Sequence, residues 1–200
     1  LERAPRFAVD TETDSAAPMS AALVGLSLSW EPGRAVYVPV GHRPEMAGGA
    51  QLPLAVAREV LRPALSAGAG RAIAQNAKFD LHILTRHGFG TPAVAFDPMI
   101  ASYLIDPDER HGLKAMAARW LGAAMTPIEE LIGTGKSRIT MAEVPVERVA
   151  PYAGADADMT LRLADPLGRK LKDNGLERMF EEIEMPLVET LRRMEARGVT

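Results

Sequence analysis

Phe7-Ala8-Val9-Asp10-Thr11-Glu12-Thr13-Asp14-Ser15 begins as an apolar run and ends in acids. Residues 7–11 read as a short strand, and on a strand residues i and i+2 project to the same face. Asp10 and Glu12 therefore stand side by side at a strand end, where they repel each other unless a cation holds them. Mg²⁺ and Mn²⁺ take carboxylate oxygens and water as ligands. An isolated Asp-x-Glu reads as two solvated surface acids. The apolar flank of Phe7, Ala8 and Val9 argues instead for a buried strand, and strand ends in such sheets often carry sites.

Outward from this stretch, Val24, Leu26, Leu28 and Trp30 keep a period of two, as a half-buried strand does. Glu31-Pro32-Gly33-Arg34 follows, with proline and glycine placed for a type II turn, and residues 35–40 make a third strand. A loop over 41–50 leads into helical sequence over 54–65. Residues 71–74 read as a short inner strand. A helix is expected over 78–87, stopping at Gly88. Asp97 before Pro98 is an N-cap with proline at the first helical position, and that helix ends near Asp106-Pro107. Further helices are expected over 112–121 and 151–172, the latter stopping at Asn174-Gly175, with a kink at Pro166. An amphipathic helix over 181–200 closes the chain. Strands come first, then helices with at most one or two further strands, which gives an α/β or α+β domain with a mixed sheet.

With 200 residues, 47% hydrophobic and 24% charged, the chain has the length and composition of one compact globular domain. No apolar run is long enough for a membrane span, and cysteine is absent, which fits a reducing compartment. The chain begins at Leu1, so an excised fragment is expected. A formal net charge of −3 is not the signature of a protein living by nucleic-acid affinity. It is compatible with an enzyme whose acidic cluster binds cations.

Two further pairs sit four residues apart. Asn76 and Asp80, in Gln75-Asn-Ala-Lys-Phe-Asp80, fall on one side of a helical turn, as do Tyr152 and Asp156. Read alone, the first pair is a capped helix start and the second an ordinary helix with a core tyrosine. In combination, a strand Asp-x-Glu, then Asn-x-Lys-Phe-Asp, then Tyr-x-x-x-Asp resembles the three exonuclease motifs of the DEDD superfamily in its tyrosine-bearing branch. Phe7-Ala-Val-Asp-Thr-Glu-Thr-Asp-Ser15, Leu23-Val-Gly-Leu-Ser27, Tyr152-Ala-Gly-Ala-Asp-Ala-Asp158 and Ile183-Glu-Met-Pro-Leu-Val188 carry the likeness nearly end to end. The chain resembles the proofreading 3′→5′ exonuclease domain of family A bacterial DNA polymerases of the polymerase I type.

The resemblance implies a ribonuclease H-like α/β fold, with a mixed central sheet flanked by helices. It implies an exonuclease domain over 1–175 and the start of a polymerase domain over 176–200. Asp10, Glu12, Asp80 and Asp156 would hold two divalent ions, Mg²⁺ or Mn²⁺, with Asp10 bridging them. Tyr152 and Glu12 would orient the attacking water, and the product would be a deoxynucleoside 5′-monophosphate. The partners implied are the single-stranded 3′ end of DNA and a covalently linked polymerase domain. The whole would be a monomer in the bacterial cytoplasm, associated with the nucleoid and independent of membranes. Thr11, Gln75 and Asn76 are expected beside the terminal nucleotide. Arg110 falls where the family places a phosphate-contacting arginine, and Lys136 is a candidate for the DNA backbone. Asp158 lies two residues after Asp156 on a helix and points about 200° away from it, so it reads as a structural acid. Asp14 fits no ligand position.

Two positions depart from the family. Ala16 stands where a wedging leucine is common, and Ile128 where a phenylalanine stacks on DNA. Base stacking on an aromatic contributes about 1–3 kcal/mol, so single-strand grip should be weaker with the metal site untouched. Gly133-Thr-Gly-Lys-Ser137 mimics a phosphate-binding loop, but Glu130 stands where such a loop needs its first glycine. Two alternatives stay open: a ribonuclease D-like exoribonuclease, and a degenerate scaffold that braces a polymerase.

Overall fold

The structure is a computed structural model that describes residues 4–49, 51–66 and 72–199. Leu1, Ala50, Arg71 and Thr200, which fall in expected elements or at the chain ends, lie outside the described residues. Five strands form one sheet in the order β3-β2-β1-β4-β5. Strands β1 (Phe7–Thr13), β2 (Leu23–Glu31) and β3 (Arg34–Pro39) are antiparallel neighbours, while β4 (Ala72–Ile73) and β5 (Val94–Phe96) run parallel to β1. Gly33 takes φ 79° in the β2–β3 turn, the left-handed value its place there requires.

The helices are α1 (Leu54–Ser66), α2 (Ala77–Arg86), α3 (Pro98–Ile105), α4 (Leu113–Leu121), α5 (Glu129–Ile132), α6 (Val146–Asp173), α7 (Glu177–Met179) and α8 (Met185–Ala196). They cover both sides of the sheet, which is the ribonuclease H-like arrangement. The pleat sorts β1 by parity. Phe7 and Val9 join Leu26, Leu28, Ala57, Leu65, Leu81, Ile83 and Leu84 in the core beneath α1 and α2. Ala8 packs with Ile73, Leu161 and Ala164, on the side of α6. Asp10 and Glu12 share the parity of Ala8, so they face α6. Leu161, Leu163, Leu167 and Leu171 of α6 are buried, each contributing about 1.5–3 kcal/mol relative to exposure. Leu163, Leu167 and Leu171 pack with Ala101 of α3, Met116 of α4 and Phe180, while Val149, Ala153, Leu161 and Ala164 seat the helix on the sheet.

Several boundaries differ from the sequence reading. Strand β1 runs two residues further, to Thr13, so Asp10 and Glu12 lie inside it; the register shifts between Glu12 and Thr13. Helix α6 starts at Val146 rather than 151, because burial of Val146 and Val149 anchors one extra turn. Pro151 sits on the exposed side, so the hydrogen bond it cannot make is lost toward water. The expected helix over 181–200 is split: residues Phe180–Glu184 form a π-helical turn ahead of α8. Pro186 has no N–H to continue an α-helical ladder there, which favours the wider turn. Val188 of α8 joins the core of the sheet, and Phe180 packs against Phe96 with ring centroids 4.9 Å apart. Among the described residues no helix is long and apolar enough to cross a membrane.

Candidate active site

A cleft of about 830 Å³ opens beside β1, lined by Asp10, Glu12, Gln75, Asn76, Asp80 and Asp156 among others. Acids from three distant stretches thus share one cavity. One ligand oxygen from each of Asp10, Glu12 and Asp156 lies within 4.8 Å of the others. Asp10 and Glu12 come from one face of β1, and Asp156 from the α6 face that crosses it. Asp80 stands outside this tight trio. Its Oδ1 accepts the Thr11 N–H at 2.9 Å and the Thr11 hydroxyl at 2.6 Å. Thr11 lines the cleft, but it is buried and its hydroxyl donates to Asp80, so its side chain supports that carboxylate.

The electrostatics follow from crowding acids in a poorly hydrated place. Burial, then the charges of Asp80, Glu12 and Asp156, push the Asp10 carboxyl well above the usual carboxylate range; only a long 3.5 Å bond from the Ser27 hydroxyl opposes this. Glu12 is pushed up to about 8, first by burial and then by Asp156, with Lys114 working against both. Burial raises Asp80 to about 7 despite the bonds from Thr11. Asp156 is also raised by burial, opposed by Lys114 and by a hydrogen bond from Tyr152. The Tyr152 hydroxyl is held neutral by burial and by the Asp156 charge. Several carboxylates at this spacing are all ionised together only with added positive charge, and hard oxygen donors of this kind suit a divalent cation.

The neighbouring positions are set by a carboxylate assigned half of its task in the sequence. Asp97 caps α3 through the Met99 N–H, as expected, at 2.8 Å. It also accepts the N–H groups of Asn76 at 3.1 Å and Ala77 at 2.8 Å, and so caps α2 as well. Asn76 sits at the N-cap position of α2 in the left-handed region (φ 58°) but makes no side-chain cap bond. Gln75 donates through Nε2 to the His111 carbonyl at 3.0 Å, while its Oε1 is buried without a partner.

Arg110 and Lys136 do not line the cleft; both are exposed, on the loop before α4 and on a short turn after α5. Two basic residues not anticipated from the sequence lie at the site. Arg138 lines the same cleft as the acids. Lys114 of α4 places Nζ 3.3 Å from the Tyr152 hydroxyl and 3.4 Å from Asp156 Oδ1. Ile128 and Ala16 line the cleft, so the two departures noted in the sequence fall on its walls. Asp158 accepts the Gly33 N–H at 2.7 Å and pairs with Arg162, tying α6 to the β2–β3 turn. Asp14 accepts the Ala22 N–H and is equally structural. Gly133–Ser137 follows a helix rather than a strand, as the rejection of a phosphate loop requires.

Comparison with known proteins gives a consistent answer. Residues 1–172 match the family model described as 3′-5′ exonuclease. The chain is 41% identical to DNA polymerase I of Chloroflexus aurantiacus over 100% of its length, and 36% identical to DNA polymerase I of Pseudomonas aeruginosa over 99%. It spans 21% and 22% of those relatives, about a fifth of each. Among solved structures, Brucella melitensis NrnC with bound Mg²⁺ superposes with TM-score 0.73 at 23% identity, covering 98% of this chain and 88% of that one. Pol1 of M. smegmatis, complexed with DNA primer-template and dNTP, gives TM-score 0.72 at 21% identity, covering 97% of this chain and 29% of that one. These two likenesses concern the fold. The chain belongs to the 3′-5′ exonuclease family, as a domain of the kind found in bacterial DNA polymerase I.

Proposed function

We propose that this cleft removes deoxynucleoside 5′-monophosphates from single-stranded 3′ ends of DNA, as the proofreading part of a DNA polymerase. The observation that carries the reading is the convergence of Asp10, Glu12 and Asp156 within 4.8 Å, with Tyr152 against Asp156. Asp10, Glu12, Asp80 and Asp156 would hold two divalent ions, Mg²⁺ or Mn²⁺, which when bound supply Lewis-acid activation of the phosphodiester and water of lowered pKa. Glu12 and the Tyr152 hydroxyl orient the attacking water; the hydroxyl stays protonated and so remains a donor. Asn76, whose side chain makes no cap bond, and Gln75, with its unpartnered Oε1, bind the terminal nucleotide. Arg138, which lines the same cleft, supplies positive charge to the phosphates. Arg110 and Lys136 are proposed for the backbone of DNA beyond the cleft. Residues 176–200 are proposed as the start of a covalently linked polymerase domain, the whole acting as a monomer in the bacterial cytoplasm.

The test is degradation of a 5′-labelled DNA primer in Mn²⁺ by the chain and by Asp10→Ala and Asp156→Ala. Removing either acid is expected to abolish release of mononucleotides. Equal activity in all three proteins sinks the proposal. Faster release from an RNA oligomer than from DNA would instead point to an exoribonuclease.

A further inference from the structure

The acidic cluster has a basic side chain built into it that belongs to none of the three motifs. Lys114 projects from the first turn of α4, whose Met116 and Ala117 are buried beneath it. Its ammonium lies 3.4 Å from Asp156 Oδ1, 3.3 Å from the Tyr152 hydroxyl oxygen, and 4.5 Å from the centroid of the Tyr152 ring. Its side chain is about one-third exposed (32%), while that of Asp156 is 13% exposed, so water screens this charge less than at an open surface. The ring face attracts the cation as well. The same charge acts on Glu12, the other end of the trio. Arg138, the other cation of the cleft, has no ion pair among the described residues, so its charge is not committed to the acids.

We infer that Lys114 is the resident counter-charge of the acidic cluster: it positions Asp156 and Tyr152 and sets a weak intrinsic affinity for divalent cations. The inference rests on the metal-dependent reading above. An ammonium donates only, so its bond to the Tyr152 oxygen leaves the tyrosine proton directed toward Asp156. A divalent ion placed among Asp10, Glu12 and Asp156 meets this third positive charge within a few ångströms and must share Asp156 with it. Coulomb repulsion at that range, at the effective dielectric of a partly buried site, weakens ion binding by on the order of tenfold or more. A positive side chain of similar reach reproduces the effect, and a neutral one removes it.

The experiment is isothermal titration calorimetry of the EDTA-stripped chain with MnCl2 alone, at fixed pH and low salt. The proteins compared are the parent, Lys114→Met and Lys114→Arg, each checked for an unchanged circular-dichroism spectrum. Lys114→Met is expected to bind Mn²⁺ at least tenfold more tightly, with the gain shrinking as salt is added, and Lys114→Arg to stay within about threefold of the parent. Lys114→Met binding Mn²⁺ as the parent does, or more weakly, overturns the inference while leaving the metal reading standing. Absence of Mn²⁺ binding by all three overturns both.

Discussion

Raising the pH of the EDTA-treated chain from 6.5 to 8 is expected to destabilise it by at least about 2–3 kcal/mol, the share of Glu12 and Asp80 alone, with Asp10 acting in the same direction. The folded protein keeps protons on Glu12 up to about 8 and on Asp80 up to about 7, both first because of burial. The unfolded chain gives them up near the ordinary values of 4.5 and 3.8. Within this window the folded state therefore binds more protons than the unfolded one. Stability is fully present below about pH 4 and falls as pH rises through the folded values, at about 1.4 kcal/mol per pH unit for each proton held. His42, lowered mainly by burial, works in the opposite sense but only where an unfolded histidine charges, below about pH 6.5. The assay is urea unfolding in EDTA at pH 6.5, 7.25 and 8, followed by circular dichroism. In millimolar Mn²⁺ the slope should flatten or reverse, since bound cations require ionised carboxylates. Glu12→Gln has no proton to lose there and should show a shallower dependence than the parent. A flat or rising stability in EDTA over this window would refute the account of a crowded, desolvated acid cluster.

Other expectations are local. Tyr152→Phe keeps the ring packing and loses the hydroxyl, so nuclease turnover in Mn²⁺ should fall roughly a hundredfold with little change in unfolding midpoint. Asp97→Ala leaves the N–H groups of Asn76, Ala77 and Met99 without their acceptor. At about 1–3 kcal/mol for each buried donor, a loss of at least 3 kcal/mol is expected in denaturant unfolding, with Asp97→Asn recovering part of it. Ile128→Phe adds an aromatic to the cleft wall and should tighten binding of a single-stranded oligonucleotide by about 1–3 kcal/mol, or roughly 5- to 160-fold. Unchanged affinity by fluorescence anisotropy would mean the strand runs elsewhere.

Much of this was readable from residue order, and the parts that were not share a cause. The period of two in Val24, Leu26, Leu28 and Trp30 marked β2 because these large residues alternate with the small Gly25, Ser27 and Ser29, although both faces of the strand are buried. Strand β5 has three residues, none fully buried, so no period could mark it. The extra turn of α6 was hidden by Pro151, because a proline reads locally as a helix start whereas burial of Val146 and Val149 is decided by the sheet. The acids of the site were legible through their order along the chain. Lys114 was not: its place depends on where α4 crosses α6, which no spacing within α4 encodes. Arg110 and Lys136 are exposed outside the cleft lining, a placement that their distance in sequence from the motifs does not encode. Asp97 was half read, because its bond to Met99 is local and those to Asn76 and Ala77 span about twenty residues.

That second capping duty has a consequence for specificity. Asparagine at the head of a helix ordinarily folds its own amide back onto the first turn. Here a carboxylate from across the sheet takes over that work, and the left-handed backbone of Asn76 turns the residue outward. Its amide, holding both a donor and an acceptor, is thereby left exposed on the lining of the cavity, one residue from the Gln75 side chain. An amide freed from capping can read a sugar or a base edge without any helix having to unravel, while its neighbour Gln75 stays anchored through Nε2 to the His111 carbonyl.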